Sequence, residues 1–183
     1  MPDEIFRSWC DNYPAGGCGP MSDMRKLVGK AARRGVKGVK AMAETGYAPF
    51  NRTVDKTNRV LREIEEAHGW TPERRNQSYA ALRAVLHALR DRLTVQESAQ
   101  LAAQLPLLMR GIYYDGWRPS TVPVKAHRKE FLDRVSGELA FELQESEEEL
   151  VQKVLQALRR HITDGEWEDV KSAMPKDLTS ILA

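Results

Sequence analysis

Residues 85–106 read VLHALRDRLTVQESAQLAAQLP, and 69 positions later residues 154–175 read VLQALRRHITDGEWEDVKSAMP. Eight of the 22 aligned positions are identical: Val85/Val154, Leu86/Leu155, Ala88/Ala157, Leu89/Leu158, Arg90/Arg159, Thr94/Thr163, Glu97/Glu166 and Pro106/Pro175. Leu93/Ile162, Leu101/Val170 and Leu105/Met174 exchange one apolar side chain for another. The pairs that persist are an apolar stripe, a helix cap and a helix-opening proline, and Arg90/Arg159 is their only long polar member. The polar faces diverge instead: His87 against Gln156, Asp91 against Arg160, Ser98 against Trp167. A duplicated active site would hold its polar residues and let its core drift. This pattern is that of a duplicated scaffold, in which each half needs the other to bury its apolar face.

The periodicity from Thr53 onward is helical. Leu82, Val85, Leu86, Leu89 and Leu93 hold the spacing of one buried helix face, as do Val151, Val154, Leu155, Leu158 and Ile162. His68-Gly69 ends an earlier helix whose face is Val60, Leu61 and Ile64, and Thr71-Pro72 opens the next. Thr94 with Glu97, Ser146 with Glu149 and Thr163 with Glu166 have capping-box spacing, and Pro106 and Pro175 start short fourth helices. No stretch alternates with period two. The expected fold is all-α, with two tandem pseudo-symmetric four-helix repeats forming one helical body, residues 53–120 and 121–183. Before it stand a loop-like or disordered lead-in, 1–23, and a basic amphipathic arm with its linker, 24–52.

The formal net charge of +2 conceals an uneven distribution. Residues 24–43 carry seven basic side chains and no acid: Arg25, Lys26, Lys30, Arg33, Arg34, Lys37 and Lys40. On a helical wheel all but Arg25 share one side, opposite Met24, Val28, Val39 and Met42. Such a face suits phosphates or anionic headgroups, so nucleic acid or an anionic membrane surface is a candidate partner of the arm. Three glycines within it, Gly29, Gly35 and Gly38, work against a stable helix. No apolar run is long enough to span a membrane, and the N-terminus lacks a signal-peptide pattern. With only two cysteines, Cys10 and Cys18, the expected setting is a reducing cytoplasm.

Chemistry-bearing motifs are sparse. His68, His87, His127 and His161 form no ligand pair at i, i+4, and no nucleophile elbow, phosphate loop or dinucleotide fingerprint is present. The run Glu145, Glu147, Glu148, Glu149 reads as the favoured acidic first turn of a helix. No catalytic residue, metal or cofactor is expected. The concentrated feature is RGIYYDGWRP at 110–119, where Tyr113, Tyr114 and Trp117 lie between Arg110 and Arg118. It serves either as an aromatic anchor between the repeats or as a recognition patch, since Tyr, Trp and Arg dominate binding hot spots.

The segments ALRAVLHALRDRL, AAQLPLLMRGIYYDGWRPSTVP, EFLDRVSGEL and EDVKSAMPKDL resemble the bacterial family called domain of unknown function 2267. The resemblance covers about residues 54–183 and rests most on Gln104-Leu105-Pro106, Arg110 to Tyr114 with Gly116-Trp117, and Met174 to Leu178. It implies a helical bacterial protein and brings no activity with it. The functional expectation is therefore a non-catalytic interaction or regulatory helical module with a protein partner; the alternative is a nucleic-acid or anionic-surface binder acting through the basic arm.

Overall fold

The computed structural model describes residues 46–182, which contain eight α-helices and no strand. The helices are α1 (Ala48–His68), α2 (Arg75–Arg92), α3 (Val95–Gln104), α4 (Leu107–Tyr114), α5 (Arg128–Gly137), α6 (Glu147–Arg159), α7 (Asp164–Ala173) and α8 (Lys176–Thr179). Single 3-10 turns, Pro72–Arg74 and Pro119–Thr121, precede α2 and follow α4. The lead-in and the basic arm of residues 24–43 lie outside the described residues.

α1 starts earlier than periodicity places it. Pro49 falls in its first turn, where a missing N–H breaks no intrahelical hydrogen bond, so the proline opens the helix instead of ending a linker. The far end is as expected: Gly69 takes a left-handed φ of 63° and its N–H caps the carbonyls of Glu65 and Glu66. Thr71-Pro72 begins a 3-10 turn before α2, and the Thr71 side chain makes no cap.

The three capping boxes fare differently. At Thr94 both halves form, the hydroxyl accepting from Glu97 N at 3.3 Å and the Glu97 carboxylate accepting from Thr94 N at 2.8 Å. Ser146 makes only the forward bond, from Glu149 N at 3.2 Å, because Lys153 holds the Glu149 carboxylate at 2.8 Å. Thr163 makes no side-chain cap; Asp164 at the next position turns to Arg159 instead. Pro106 and Pro175 do stand immediately before α4 and α8.

Helices from the two halves interleave. α1 packs on α2 and on α6, while α5 packs on α6 and on α2. α2 and α6 meet each other at the centre, and α3 meets α7. Leu82, Val85, Leu86 and Leu89 of α2 join Val151, Val154, Leu155 and Leu158 of α6 in one core with Val60 and Ile64 of α1 and Phe131 and Val135 of α5. Short pairs at the 69-residue offset keep their bounds: α3 and α7 both run ten residues and start and stop at matching positions.

Polar interlocks tie this core at its edges. Glu65, 4% exposed, accepts two hydrogen bonds from Arg75, at 2.9 and 3.0 Å, and one from Ser78 at 3.1 Å. Those bonds hold its carboxyl below the ordinary carboxylate value of 4.5, Arg75 making the largest contribution against the opposing effect of burial.

Two stability measurements follow. Leu89→Ala removes a side chain that is 1% exposed and should lower unfolding free energy by about 2–5 kcal/mol in urea melts. Glu65→Ala should cost about 2 kcal/mol at neutral pH. Because the folded-state pKa of Glu65 is depressed, that contribution is complete above 4.5 and is lost as pH falls through the folded value. A difference between wild type and Glu65→Ala that stays constant down to about pH 2 would contradict the assignment.

Candidate functional site

The aromatic segment 110–118 does not present its residues together. Arg110 turns inward along the end of α3, where Nε donates to Ala102 O at 2.9 Å and Nη2 reaches the carbonyls of Ala103 and Leu105. It thus satisfies carbonyls that the helix end leaves open. Tyr113 is wholly buried, and its hydroxyl shares a 2.8 Å hydrogen bond with Ser98 Oγ, so it contributes packing and no surface. Burial raises its phenol far above the ordinary value. Tyr114 and Trp117 are half-buried and lie against each other with ring centroids 5.0 Å apart, and Trp117 Nε1 is buried without a hydrogen-bond partner. Arg118 is exposed.

What holds this segment down is Arg90. The side chain is buried in the last turn of α2 and donates from Nη1 to Tyr113 O at 2.7 Å and Asp115 O at 2.8 Å. His87, one turn earlier, places Nε2 2.9 Å from Ile112 O and Nδ1 3.1 Å from Glu138 Oε2. The two ring nitrogens thus tie α2 to α4 on one side and to the end of α5 on the other. Arg83 adds a bond to the same Glu138 oxygen at 3.0 Å and a longer contact to Asp115. This polar cluster is architectural: each of its groups is spent on another part of the chain.

A different region forms a cleft. The connection from α1 to α2 and the one from α5 to α6 meet around a cavity of about 580 Å³. His68, the last residue of α1, stacks on Trp70 at 4.2 Å, and the edge of Trp70 meets Phe141 at 5.9 Å. The His68 side chain is fully buried. Its Nδ1 stands 2.5 Å from Glu145 Oε1 but off the line of a hydrogen bond, and Nε2 has no hydrogen-bond partner. Burial lowers the His68 pKa below its ordinary 6.5, outweighing the upward pull of Glu145. Lys153 in turn pairs with Glu145 at 2.7 Å. Arg74, Gln77, Glu142 and Gln144 complete the rim.

The cleft therefore combines an aromatic wall, a neutral buried imidazole and polar groups of both signs. Such a set suits recognition of a polar ligand with an apolar portion. Among the described residues no group of three or more His, Cys, Asp or Glu side chains is placed to hold a metal ion. The acidic run divides its partners: Lys153 takes Glu145 and Glu149, and Arg128 takes Glu148. His161 and Arg160 both turn to Glu63 of α1. His127 Nδ1 lies 3.3 Å from Asp177.

Sequence pattern places His68 only at the end of a helix and singles out neither Trp70 nor Phe141. The available signal was weak: a tryptophan directly after a helix-ending glycine, and a phenylalanine in a polar interhelix stretch. Among the described residues, no helix is long and apolar enough to cross a membrane.

Because the folded-state pKa of His68 is depressed, the unfolded chain takes up its proton first, and stability is complete above about 6.5 and lost as pH falls through the folded value. Urea midpoints should drop between about pH 7.5 and about pH 5.5, and His68→Gln should flatten that drop. An unchanged slope in His68→Gln would show that the ring does not titrate as described.

Comparison with protein-family models finds a match over residues 57–181 to a family described as Uncharacterized conserved protein (DUF2267). A search of curated proteins finds no match.

Proposed function

The chain belongs to the DUF2267 family, whose description assigns no activity, and from the molecule itself we propose that it is a non-catalytic interaction or regulatory helical module. The observation that supports this reading is the cleft between the two interhelix connections: about 580 Å³, with Trp70 and Phe141 on one wall and Arg74, Gln77, Glu142 and Gln144 at its rim. A volume of that size, half open and mixed in polarity, accommodates a few residues of a peptide better than an enclosed apolar ligand. His68 supports the Trp70 ring from behind, so that the indole is held ready at little entropic cost on binding. Tyr114, Trp117 and Arg118 offer a second, smaller contact surface under the same proposal. A cytoplasmic location belongs to the proposal as well.

The charge of residues 24–43 favours a second reading, in which Arg25, Lys26, Lys30, Arg33, Arg34, Lys37 and Lys40 bring the helical body to nucleic acid or an anionic membrane surface. Affinity of this kind is electrostatic and carries no sequence readout.

Peptides selected from a random library on the wild-type protein should lose at least about tenfold in affinity on Trp70→Ala, the usual scale for an aromatic anchor, and keep it on Tyr79→Ala, which alters an exposed ring outside the cleft. Selection that yields no binder, or binders indifferent to Trp70→Ala, would count against the cleft. For the second reading, anisotropy with labelled duplex DNA and with anionic vesicles should fall with salt. For duplex DNA the log–log slope should flatten by about 0.9 for each phosphate-contacting base changed to glutamine.

A further inference from the structure

We propose that the face of α6 carrying Arg159 is a docking groove for an extended peptide segment of a partner protein, one that supplies backbone carbonyls, a carboxylate and an aromatic side chain. This deepens the interaction-module reading and rests on it. The groove measures about 410 Å³, and Gln152, Gln156, Arg159, Arg160, Trp167 and Lys171 supply its polar edges and its indole wall. Trp167 is 3% exposed, and the Arg159 guanidinium carbon lies 5.8 Å from its ring centroid. At that distance the cation is within reach of the indole face, and its N–H groups, which bond Asp164 and Ile162 O in this structure, are the ones that a peptide's oxygen acceptors would take over.

What those acceptors would be can be read 69 positions earlier in the same chain. Arg83, His87 and Arg90 occupy on α2 the places of Gln152, Gln156 and Arg159 on α6. There Arg90 donates to the carbonyls of Tyr113 and Asp115, and Arg83 contacts the Asp115 carboxylate at 3.5 Å. The chain itself thus lays Tyr113 to Trp117 across the α2 face, with backbone oxygens inward and the acid on a flanking arginine. The two faces differ by a matched exchange of sizes. Where Ser98 accommodates the ring of Tyr113, α7 carries Trp167 and the aligned position is Leu182. Trp167 and Leu182 are each 3% exposed and both line the groove, with the Arg159 guanidinium beside the indole.

The charge of the groove agrees with an acidic occupant. Arg159 is held by Asp164, which is itself 90% exposed, and by Ile162 O at 3.3 Å; Arg160 reaches Glu63 only at 3.8 Å. Lys171 pairs with the exposed Glu168 at 3.3 Å. Exposed pairs of this kind exchange readily for a better-placed acceptor. Two adjacent arginines and a lysine then meet a peptide carboxylate and carbonyls with charge-assisted hydrogen bonds.

The test uses the full chain and a fluorescein-labelled, amidated peptide YYDGW, copied from residues 113–117. Anisotropy should show saturable binding, weakened at least about tenfold by Arg159→Leu, which corresponds to the loss of charge-assisted hydrogen bonds. Gln156→Glu, at an exposed position that leaves the fold intact by circular dichroism, should weaken it severalfold by repulsion, as should replacing the peptide's acid with asparagine. Trp70→Ala should leave this binding unchanged. Lack of saturable binding, or binding indifferent to both α6 substitutions, overturns the groove. Binding lost on Trp70→Ala alone also overturns it, while leaving the module reading in place. Displacement of the peptide by duplex DNA, with the same dependence on Arg159, would make the groove a nucleic-acid contact and refute the peptide assignment.

Discussion

The contact between α2 and α6 is the constraint on which the rest depends. Each helix carries a full apolar stripe too broad for one neighbour to cover, and each runs through the middle of the described body. Leu86, Leu89, Leu155 and Leu158 are 1–2% exposed, which requires partners on several sides of both helices. Those partners come crosswise: α1 reaches over to α6 and α5 reaches over to α2. Neither half could bury its own central helix with its own first helix alone. A shared core of this kind is a physical reason for apolar positions 69 residues apart to match where outward-facing ones differ.

Once the core is closed, the remaining polar groups divide into those that lock it and those that face outward. Glu65 with Arg75 and Ser78, His87 with Glu138 and Ile112, and Arg90 with the carbonyls after α4 each satisfy buried atoms that would otherwise cost more than their bonds return. The cleft at His68 belongs to the other kind. Its imidazole is buried without a hydrogen bond, and its rim residues come from the two interhelix connections and the first turn of α2. Arg90 and Arg159 show the division within one aligned pair. The first is consumed by the chain that crosses it, and the second lies over Trp167 at the edge of a groove.

Much of the fold was legible because its causes are local. The stripes of α2 and α6, the left-handed Gly69, the Thr94 capping box and the prolines ahead of α4 and α8 depend on neighbours within a few residues. The misreadings also have local causes. Pro49 opens a helix where pattern suggested a break, since a proline in a first turn and one in a linker look alike in sequence. Thr163 has the residues for a capping box, yet its side chain makes no cap. At 110–118 the sequence left an aromatic anchor and a recognition patch both open; the chain turns Arg110 and Tyr113 inward and leaves Tyr114, Trp117 and Arg118 nearer the solvent.

The sequence by itself determined the all-α class, the position of most helices and the identity of the core, because periodicity, caps and apolar spacing act along the chain over one or two turns. Tertiary structure alone decided that α1 covers α6, that His68, Trp70, Phe141 and Glu145 share a cleft, and that Arg90 and Arg159 lead different lives. Those outcomes hang on contacts between residues tens of positions apart. The free energy that selects them is the burial of a shared apolar surface, and no single segment carries that quantity.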